Sequence, residues 1–365
     1  MVGLEDLTRR EFVSLVPAGL LGLALRASLA TVPDAEVVIA KNDLPEYLLR
    51  AAVREIGGIE RYVKAGDLVV VKPNFSFDCM PNSEVNAANT DADLVRALVV
   101  LCLEAGASEI KVLDNTLTRP PELGLRSSQI KGKLAQFDSV ECKVLNGKPA
   151  EFRTVNVGGS LGEIGVSRDV LEADVFINMP KLKNHAEAVA TISMKNLMGI
   201  VDDRQKIHDR GLHRPIADLT RYTISTQAAS GQRNLVIVDA TKALQTGGPG
   251  GPGKVMRLNS VLVGNNPVSV DACGCDLLGI ERNDVPHLQI ACGEYMLAGA
   301  EEGWKVSTLD VSRMIKDDLL PPPSPATKEK AERWGLILAS GAAVAACTAV
   351  GFIYSRKARR SRESR

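Results

Sequence analysis

The sequence predicts an α/β protein with a mostly parallel sheet, helices on both faces of that sheet, and a C-terminal transmembrane helix. Short runs of aliphatic and β-branched residues alternate along the chain with amphipathic helical patterns. These runs are apolar throughout, which is typical of strands that are covered on both faces. A charge-free run of 21 residues, Trp334–Tyr354, is long enough to cross a hydrocarbon core of about 30 Å.

Six strands and four helices are predicted in the body of the chain. The apolar runs place strands at Glu36–Ala40, Leu68–Val71, Glu109–Leu113, Val175–Asn178, Leu235–Val238 and Val261–Val263. Helical periodicity falls between them, at Leu44–Ile56, Asp91–Ala105, Ile216–Ala229 and Val268–Leu278. Between about 140 and 170 the periodicity weakens and several glycines occur, which predicts a small antiparallel excursion from the sheet.

The C-terminal run is interpreted as a membrane anchor. It has an aromatic residue at each end and is followed by a cationic segment, a pattern typical of a transmembrane helix with a cytoplasmic tail. The proline-rich stretch Pro321–Pro325 separates the run from the body as an extended spacer. The alternative is a buried amphipathic helix of the globular domain, but the run has no polar stripe.

The N-terminus resembles a twin-arginine export signal. Arg9 and Arg10 precede a weakly apolar run, Phe12–Leu25, and the small residues Ser28 and Ala30 suit a signal peptidase. The alternative is a chance pair of arginines before a helix. The resemblance implies that the body is exported already folded, often after a cofactor or partner has bound in the cytoplasm.

The two ends together predict the organisation and the location of the chain. Residues 1–30 form the signal segment, 31–318 the α/β domain, 319–333 the proline-rich linker, 334–354 the transmembrane helix and 355–365 a basic cytoplasmic tail. The predicted location is the bacterial cytoplasmic membrane. The globular domain is expected on the extracytoplasmic side and the C-terminus in the cytoplasm.

Composition excludes nucleic acid as a partner and leaves the cofactor unknown. Lys plus Arg and Asp plus Glu number 44 each, and the body without its two ends is mildly acidic, whereas phosphate backbones need a basic face. The seven cysteines are irregularly spaced and include no Cys-x-x-Cys, so neither a disulfide framework nor an iron–sulfur cysteine motif is present. Buried, reduced thiols are expected, with Cys273 and Cys275 as an alternative redox or metal pair.

Polar residues directly follow several of the predicted strands. Lys72-Pro73-Asn74, Asp114, Asn178 and Asp239 all occupy such positions. Each could be an ordinary turn or helix cap. Because ligands in open α/β sheets gather at the carboxyl ends of the strands, the four together favour a shared site.

The segment Asn178–Gly199 is the densest in candidate groups. A cation in its apolar second half, Lys195, is costly unless it is solvated or paired; the alternative is a packed stem with the ammonium in water. A desolvated lysine among other cations has a lowered pKa, which suits a base or a nucleophile. We therefore predict catalytic roles for Lys183, His185 and Lys195, and binding of an anionic ligand or cofactor by Lys72, Asn74, Asn178, Lys181, Asn196 and Asp239.

Two further patterns are weaker. His185, His208 and His213 could join Asp239 in a metal site, but solvated loop histidines are the simpler interpretation, and the metal is left unknown. The loop 247–253 partly matches a phosphate loop. Prolines remove its amides and a strand is expected after it, so we reject a nucleoside triphosphatase. A lid over the site and a plain mobile loop are the remaining alternatives.

Several of these motifs together resemble the family named domain of unknown function 362. They are the Lys72-Pro73-Asn74 strand end, the Asn-x-Pro-Lys-x-Lys-x-His segment with Thr191 and Lys195–Gly199, the Asp239 strand end, the glycine-rich loop 247–253, and Asn266–Asp271. The resemblance covers about residues 36–300 and implies no settled activity. Many members are associated with iron–sulfur clusters through a ferredoxin module, whose cysteines this chain lacks.

Two classes of function follow from this sequence. The first is a redox-linked enzyme that acts on a small anionic ligand or cofactor beside a membrane redox partner. The second is a non-catalytic ligand-binding or accessory subunit of a membrane complex.

Overall fold

The computed structural model describes residues 35–42, 44–78, 87–298 and 304–311. The predicted signal segment, linker and C-terminal run lie outside these residues. The described strands are β1 (Glu36–Lys41), β2 (Leu68–Lys72), β3 (Glu109–Asp114), β4 (Val140–Val144), β5 (Phe152–Asn156), β6 (Glu163–Ser167), β7 (Val175–Asn178), β8 (Lys181–His185), β9 (Val189–Thr191), β10 (Arg233–Leu244), β11 (Val255–Gly264) and β12 (Lys305–Asp310). The described helices are α1 (Pro45–Glu55), α2 (Ala92–Glu104), α3 (Glu122–Ser127), α4 (Ile130–Leu134), α5 (Arg168–Glu172), α6 (Ser193–Asn196), α7 (Arg204–Asp209), α8 (His213–Ser230), α9 (Pro267–Leu278) and α10 (Pro286–Gln289).

The main sheet is mostly parallel, as predicted. Its strand order is β12-β1-β11-β10-β7-β2-β3-β4, and β8 and β9 extend it beside β10. The strands β7, β2, β3 and β4 run parallel to one another and to β10. The carboxyl ends of these five strands therefore meet at one edge of the sheet.

Both faces of the sheet are buried, because successive strand residues point to opposite sides. Val70 and Val238 belong to the large hydrophobic cluster that also contains residues of α8 and α9. Their neighbours Val69 and Ile237 are equally buried but lie outside that cluster. Helix α1 packs against β1, β11 and α2, whereas α9 packs against β10, β11 and α6. This double cover explains the continuous apolar runs Leu68–Val71 of β2 and Leu235–Val238 of β10.

The antiparallel excursion predicted near 140–170 is present as a separate two-stranded sheet of β5 and β6. A second antiparallel part was not predicted: β11 runs antiparallel to both β10 and β1. The loop that joins β10 to β11 is too short for the crossover that a parallel pair needs. The two strands therefore pair as an antiparallel hairpin. The strands β8 and β9 also escaped prediction, since the polar side chains of β8 conceal its burial.

The predicted fold class is wrong on one point, the transmembrane helix. Among the described residues, no helix is both long and apolar enough to cross a bilayer. The longest described helix, α8, has 18 residues and carries the charged side chains Arg214, Asp218 and Arg221. The fold of the described residues is therefore mixed α/β. The run Trp334–Tyr354, on which the prediction depended, lies outside them.

Candidate functional site

The side chain of Lys72, the last residue of β2, forms part of the floor of a cleft at the carboxyl edge of the sheet. Lys72 has no exposed surface. Its Nζ lies 2.7 Å from Asp114 Oδ1 and donates to Pro73 O and Asn196 Oδ1, both at 2.8 Å. The ammonium thus forms an ion pair with a buried carboxylate and donates two hydrogen bonds. Burial lowers the pKa of Lys72, and the ion pair with Asp114 opposes that change.

Asp114, at the end of β3, is equally buried. Its Oδ2 accepts from Phe75 N at 3.0 Å and from Ser76 Oγ at 3.1 Å. Gly199 lies directly over the Lys72–Asp114 pair: a Cβ at position 199 would lie 2.2 Å from Asp114 Oδ1. Only glycine leaves room for the buried pair at this point.

Asn196 connects the floor to the neighbouring strand. Its Oδ1 accepts from Lys72 Nζ and from Asn74 Nδ2, and its Nδ2 donates to Lys72 O at 3.2 Å and to Asn178 Oδ1 at 2.8 Å. Asn178 in turn donates through Nδ2 to Ser193 O at 2.8 Å. These bonds saturate the Asn196 amide, so Asn178 and Asn196 position other residues rather than present free groups to a ligand.

The strand β8 carries Lys181, Lys183 and His185 at alternate positions, and all three are buried. Lys181 does not line the cleft. Its Nζ lies 2.8 Å from Asp239 Oδ2, and neither side chain is exposed. Asp239 Oδ2 also accepts from Asp91 N at 2.8 Å. This pair joins β8, β10 and the start of α2 behind the cleft.

Lys183 is 1% exposed and lines the cleft. Its Nζ donates to Asn74 Oδ1 at 2.9 Å and to Ala88 O at 2.7 Å, and it lies 4.8 Å from the centroid of the Phe77 ring. A cation at this distance is attracted by the ring face. The ammonium is thus held in place at the wall of the cleft.

His185 is a neutral hydrogen-bond donor. Its Nδ1 accepts from Glu187 N at 3.0 Å and from Ala188 N at 3.1 Å, which places the ring proton on Nε2. Burial, followed by the positive charges of Lys195 and Lys183, lowers the pKa of His185 to about 3. The ring therefore stays uncharged at neutral pH.

Lys195 lies on α6, which is a single helical turn. Among the described residues, the only hydrogen-bond partner of its Nζ is the thioether Met198 Sδ at 3.7 Å, which is a weak acceptor. Burial and the nearby charge of Arg204 lower the pKa of Lys195 to about 8. Arg204 itself is held by Asn115 O at 2.8 Å and Thr116 O at 2.7 Å.

Thr191, at the end of β9, lies in the wall of the same cleft and is 5% exposed. Within the described part of the chain, its Oγ1 has no hydrogen-bond partner. A buried hydroxyl without a partner costs free energy. Thr191 and Lys195 thus leave two polar groups at the cleft that the described chain does not satisfy.

The cleft encloses about 350 Å³. Six of the predicted site residues line it: Lys72, Asn74, Lys183, His185, Lys195 and Asn196. Asn178, Lys181 and Asp239 lie behind it. Sequence reasoning missed Arg204, Phe77 and Leu117, which also line the cleft. The tertiary fold brings these three residues to the cleft, and no local sequence motif indicates them.

A family model described as domain of unknown function (DUF362) matches residues 69–276, which is more than half of the chain and includes every strand end described above. The chain belongs to this family. It is also 29% identical over 160 residues to a thylakoid-associated protein of Synechocystis sp.. That match covers 43% of this chain and 46% of the relative, so it spans about half the length of either protein.

Two solved structures are similar to this DUF362 chain at low identity. One is a protein of Thermotoga maritima, with 13% identity, a TM-score of 0.39, and coverage of 66% of this chain and 60% of that one. The other is the lactate racemase apoprotein of Thermoanaerobacterium thermosaccharolyticum, with 12% identity, a TM-score of 0.39, and coverage of 66% and 56%.

The Asn266–Asp271 motif of the DUF362 domain positions α6, the helix that carries Lys195. Asn266 Oδ1 accepts from Val268 N at 2.8 Å and caps α9. Asp271 is buried and accepts from Ser193 N at 2.7 Å, Met194 N at 3.0 Å and Ser193 Oγ. Burial outweighs these donors and raises the pKa of Asp271 to about 7. Sequence analysis noted this motif but assigned no role to it.

The histidines of the DUF362 domain do not form the metal site considered from the sequence. In the described residues, no group of three His, Cys, Asp or Glu side chains is arranged to hold a metal ion. His208 Nδ1 lies 3.1 Å from Glu187 Oε2 at the rim of the cleft. His213 instead stacks on His287, with their Nδ1 atoms 3.3 Å apart.

The glycine-rich loop of the DUF362 domain lies beside the cleft, and Pro249 contributes to its lining. Gly248 N donates to Asn184 Oδ1 at 2.8 Å, and a Cβ at Gly248 would lie 1.9 Å from Asn184 O. The strand β11 follows this loop, whereas a phosphate loop leads into a helix. Whether the loop acts as a lid stays a prediction.

The buried cysteines are free thiols. Cys273 and Cys275 are both unpaired by disulfides, and burial raises the pKa of Cys273 to about 11. A thiol with so high a pKa is protonated and unreactive at neutral pH. This pair therefore contributes hydrophobic packing to α9.

Proposed function

We propose that the cleft binds a small anionic ligand, through a carboxylate or phosphate group. The observation that carries this proposal is the Lys195 ammonium, which lines the cleft and has only a thioether as a partner among the described residues. The Lys195 side chain is half-buried, and a charge that is partly removed from water costs free energy unless it is paired. An anion in the cleft supplies the missing partner.

The surroundings of Lys195 favour an anion as well. Lys183 and Arg204 add positive charge to the walls, and His185 offers a neutral N–H donor. Two carboxylates also line the cleft: Asp114, which is paired with Lys72 in the floor, and Glu187, which lies at the exposed rim beside His208. The cations and neutral donors near Lys195 are the combination that binds oxyanions.

Anion affinity is expected to fall as the pH rises through about 8, because Lys195 then loses its positive charge. From about pH 6 to about pH 9.5 we expect roughly a tenfold loss for acetate, which stays ionised throughout this range, measured by calorimetry. Arginine keeps its charge over this range, so Lys195→Arg should remove most of this pH dependence. Equal pH profiles for the wild type and this variant would contradict the proposal.

Replacement of Thr191 with valine is expected to separate stability from binding. The variant removes a buried hydroxyl that has no described partner, so the free energy of unfolding should stay constant or rise by up to about 1 kcal/mol. Anion affinity should fall about three- to tenfold if the hydroxyl donates to the ligand. Thr220→Val is the control, because the Thr220 Oγ1 already donates to Ile216 O at 2.8 Å, away from the cleft.

The second candidate function is an enzyme in which Lys195 acts as a base or nucleophile. The lowered pKa of Lys195 favours it, since an appreciable part of the side chain is then the neutral amine near pH 7 to 8. A binding midpoint near pH 10, as for an ordinary lysine, would remove this candidate and leave a non-catalytic binding or accessory subunit. The redox link, the membrane redox partner and the extracytoplasmic location stay predictions from the sequence.

A further inference from the structure

The cleft has an apolar side as well as a cationic one. Phe77, Leu117, Met198 and Pro249 line it together with the polar groups. Leu117 is 55% exposed, one of the few large apolar side chains in the described residues that are so open to water. An inorganic oxyanion has nothing to place against these side chains.

The apolar wall is held in a defined position. Two hydrogen bonds with Asn89 hold the Phe77 backbone. Phe77 N donates to Asn89 Oδ1 at 3.3 Å, and Asn89 Nδ2 donates to Phe77 O at 2.8 Å. A Cβ at Gly250 would lie 3.0 Å from the Phe77 ring, so the glycine-rich loop lies close to that ring. Phe77, which follows β2, and the glycine-rich loop are therefore both held by contacts with other parts of the chain.

The size of the cleft also exceeds what a bare oxyanion needs. Its volume of about 350 Å³ is at the lower end of the range for organic ligands. A water molecule takes up roughly 30 Å³ of liquid, so an ion of a few heavy atoms would leave most of the cleft to solvent. Polar groups that fix orientation beside an apolar wall are the usual arrangement for an organic ligand.

We propose that the ligand is a small organic carboxylate, with its carboxylate at Lys195 and its hydrocarbon body against Phe77, Leu117 and Pro249. This inference rests on the anion site proposed above and adds the chemical class of the ligand. The carboxylate satisfies the ammonium of Lys195 and the N–H of His185. The hydrocarbon body covers the exposed Leu117 side chain and displaces water from the wall.

The test is a calorimetric titration of the full chain with acetate, butanoate, hexanoate and inorganic phosphate at about pH 6.5. Each methylene group that becomes buried should raise the affinity about fourfold until the wall is covered. Leu117→Ser should flatten this dependence on chain length, and because Leu117 is exposed the variant should still fold. Met296→Ser removes another exposed apolar side chain, which does not line the cleft, and should leave the dependence unchanged.

Two results overturn the inference and are distinguishable from failure of the anion site. If phosphate binds but hexanoate binds no better than acetate, the anion site stands and the organic body is wrong. If the gain per methylene is the same in Leu117→Ser as in the wild type, the body lies elsewhere and the assigned wall is wrong. If none of the four anions binds, the anion site itself fails.

Discussion

Replacement of Lys72 with methionine is expected to lower the free energy of unfolding by about 3–5 kcal/mol. The variant leaves the Asp114 carboxylate buried opposite an apolar side chain, although Asp114 still accepts from Phe75 N and Ser76 Oγ. It also leaves Asn196 Oδ1 without the ammonium that orients it. Urea unfolding at neutral pH measures the loss.

A second substitution separates the buried charge from simple loss of packing. In Lys72→Met/Asp114→Asn the remaining partner is neutral, so part of the lost stability should return. Lys148→Met is the matched control, because Lys148 is exposed and its removal should change stability by less than about 0.5 kcal/mol. A double variant that is no more stable than Lys72→Met would show that the unpaired charge is not the cause.

Replacement of Asp271 with asparagine is expected to cost about 3 kcal/mol. The backbone N–H groups of Ser193 and Met194 approach different oxygens of the carboxyl group. Asparagine has only one oxygen, so its NH₂ group must face one of these N–H donors. Because the two amides begin α6, the same change should loosen the turn that carries Lys195 and weaken anion binding.

The control for this variant lies on the same helix. Asp276 pairs with Arg282 at 2.6 Å on the surface, and its side chain is 53% exposed. Asp276→Asn should therefore cost less than about 1 kcal/mol. If the two asparagine variants were equally stable, the capping role of Asp271 would be wrong.

The pH dependence of stability gives an independent check on Asp271. Its pKa in the folded chain is about 7, above the value of roughly 3.9 for an unfolded aspartate. The folded state therefore binds this proton more tightly, and the stability it contributes is full below about pH 4 and is lost as the pH rises through 7. Asparagine does not titrate. The wild type should thus exceed the variant in stability by more at about pH 5 than at about pH 8.

Local patterns predicted the elements of the fold well where hydrophobicity decides them. The continuous apolar runs of β2 and β7 indicate strands covered on both faces, and their parallel pairing follows from the helices between them. The direction of β11 and the strand β8 could not be predicted. The first depends on a hairpin between two long strands, and the second consists largely of polar residues whose burial depends on distant partners.

For the candidate site, the sequence indicated the chemistry of the residues but not their partners. A lysine after a strand has the same local pattern whether it is engaged or open. Lys72 and Lys181 are engaged because Asp114 and Asp239 reach them across the sheet, whereas no described carboxylate forms an ion pair with Lys195. Asn196 shows the same limit, since four hydrogen bonds to three residues of two other segments use up its amide.

The sequence by itself thus determined that this is an α/β chain with cations and amides concentrated at the carboxyl ends of its strands. Period-two burial and short-range motifs are local properties, and they can be identified along the chain. Only the tertiary structure decided which of these groups hold one another and which face a cleft. That choice depends on residues 39 to 124 positions apart that meet within about 3 Å, where pairing and burial change both charge and pKa.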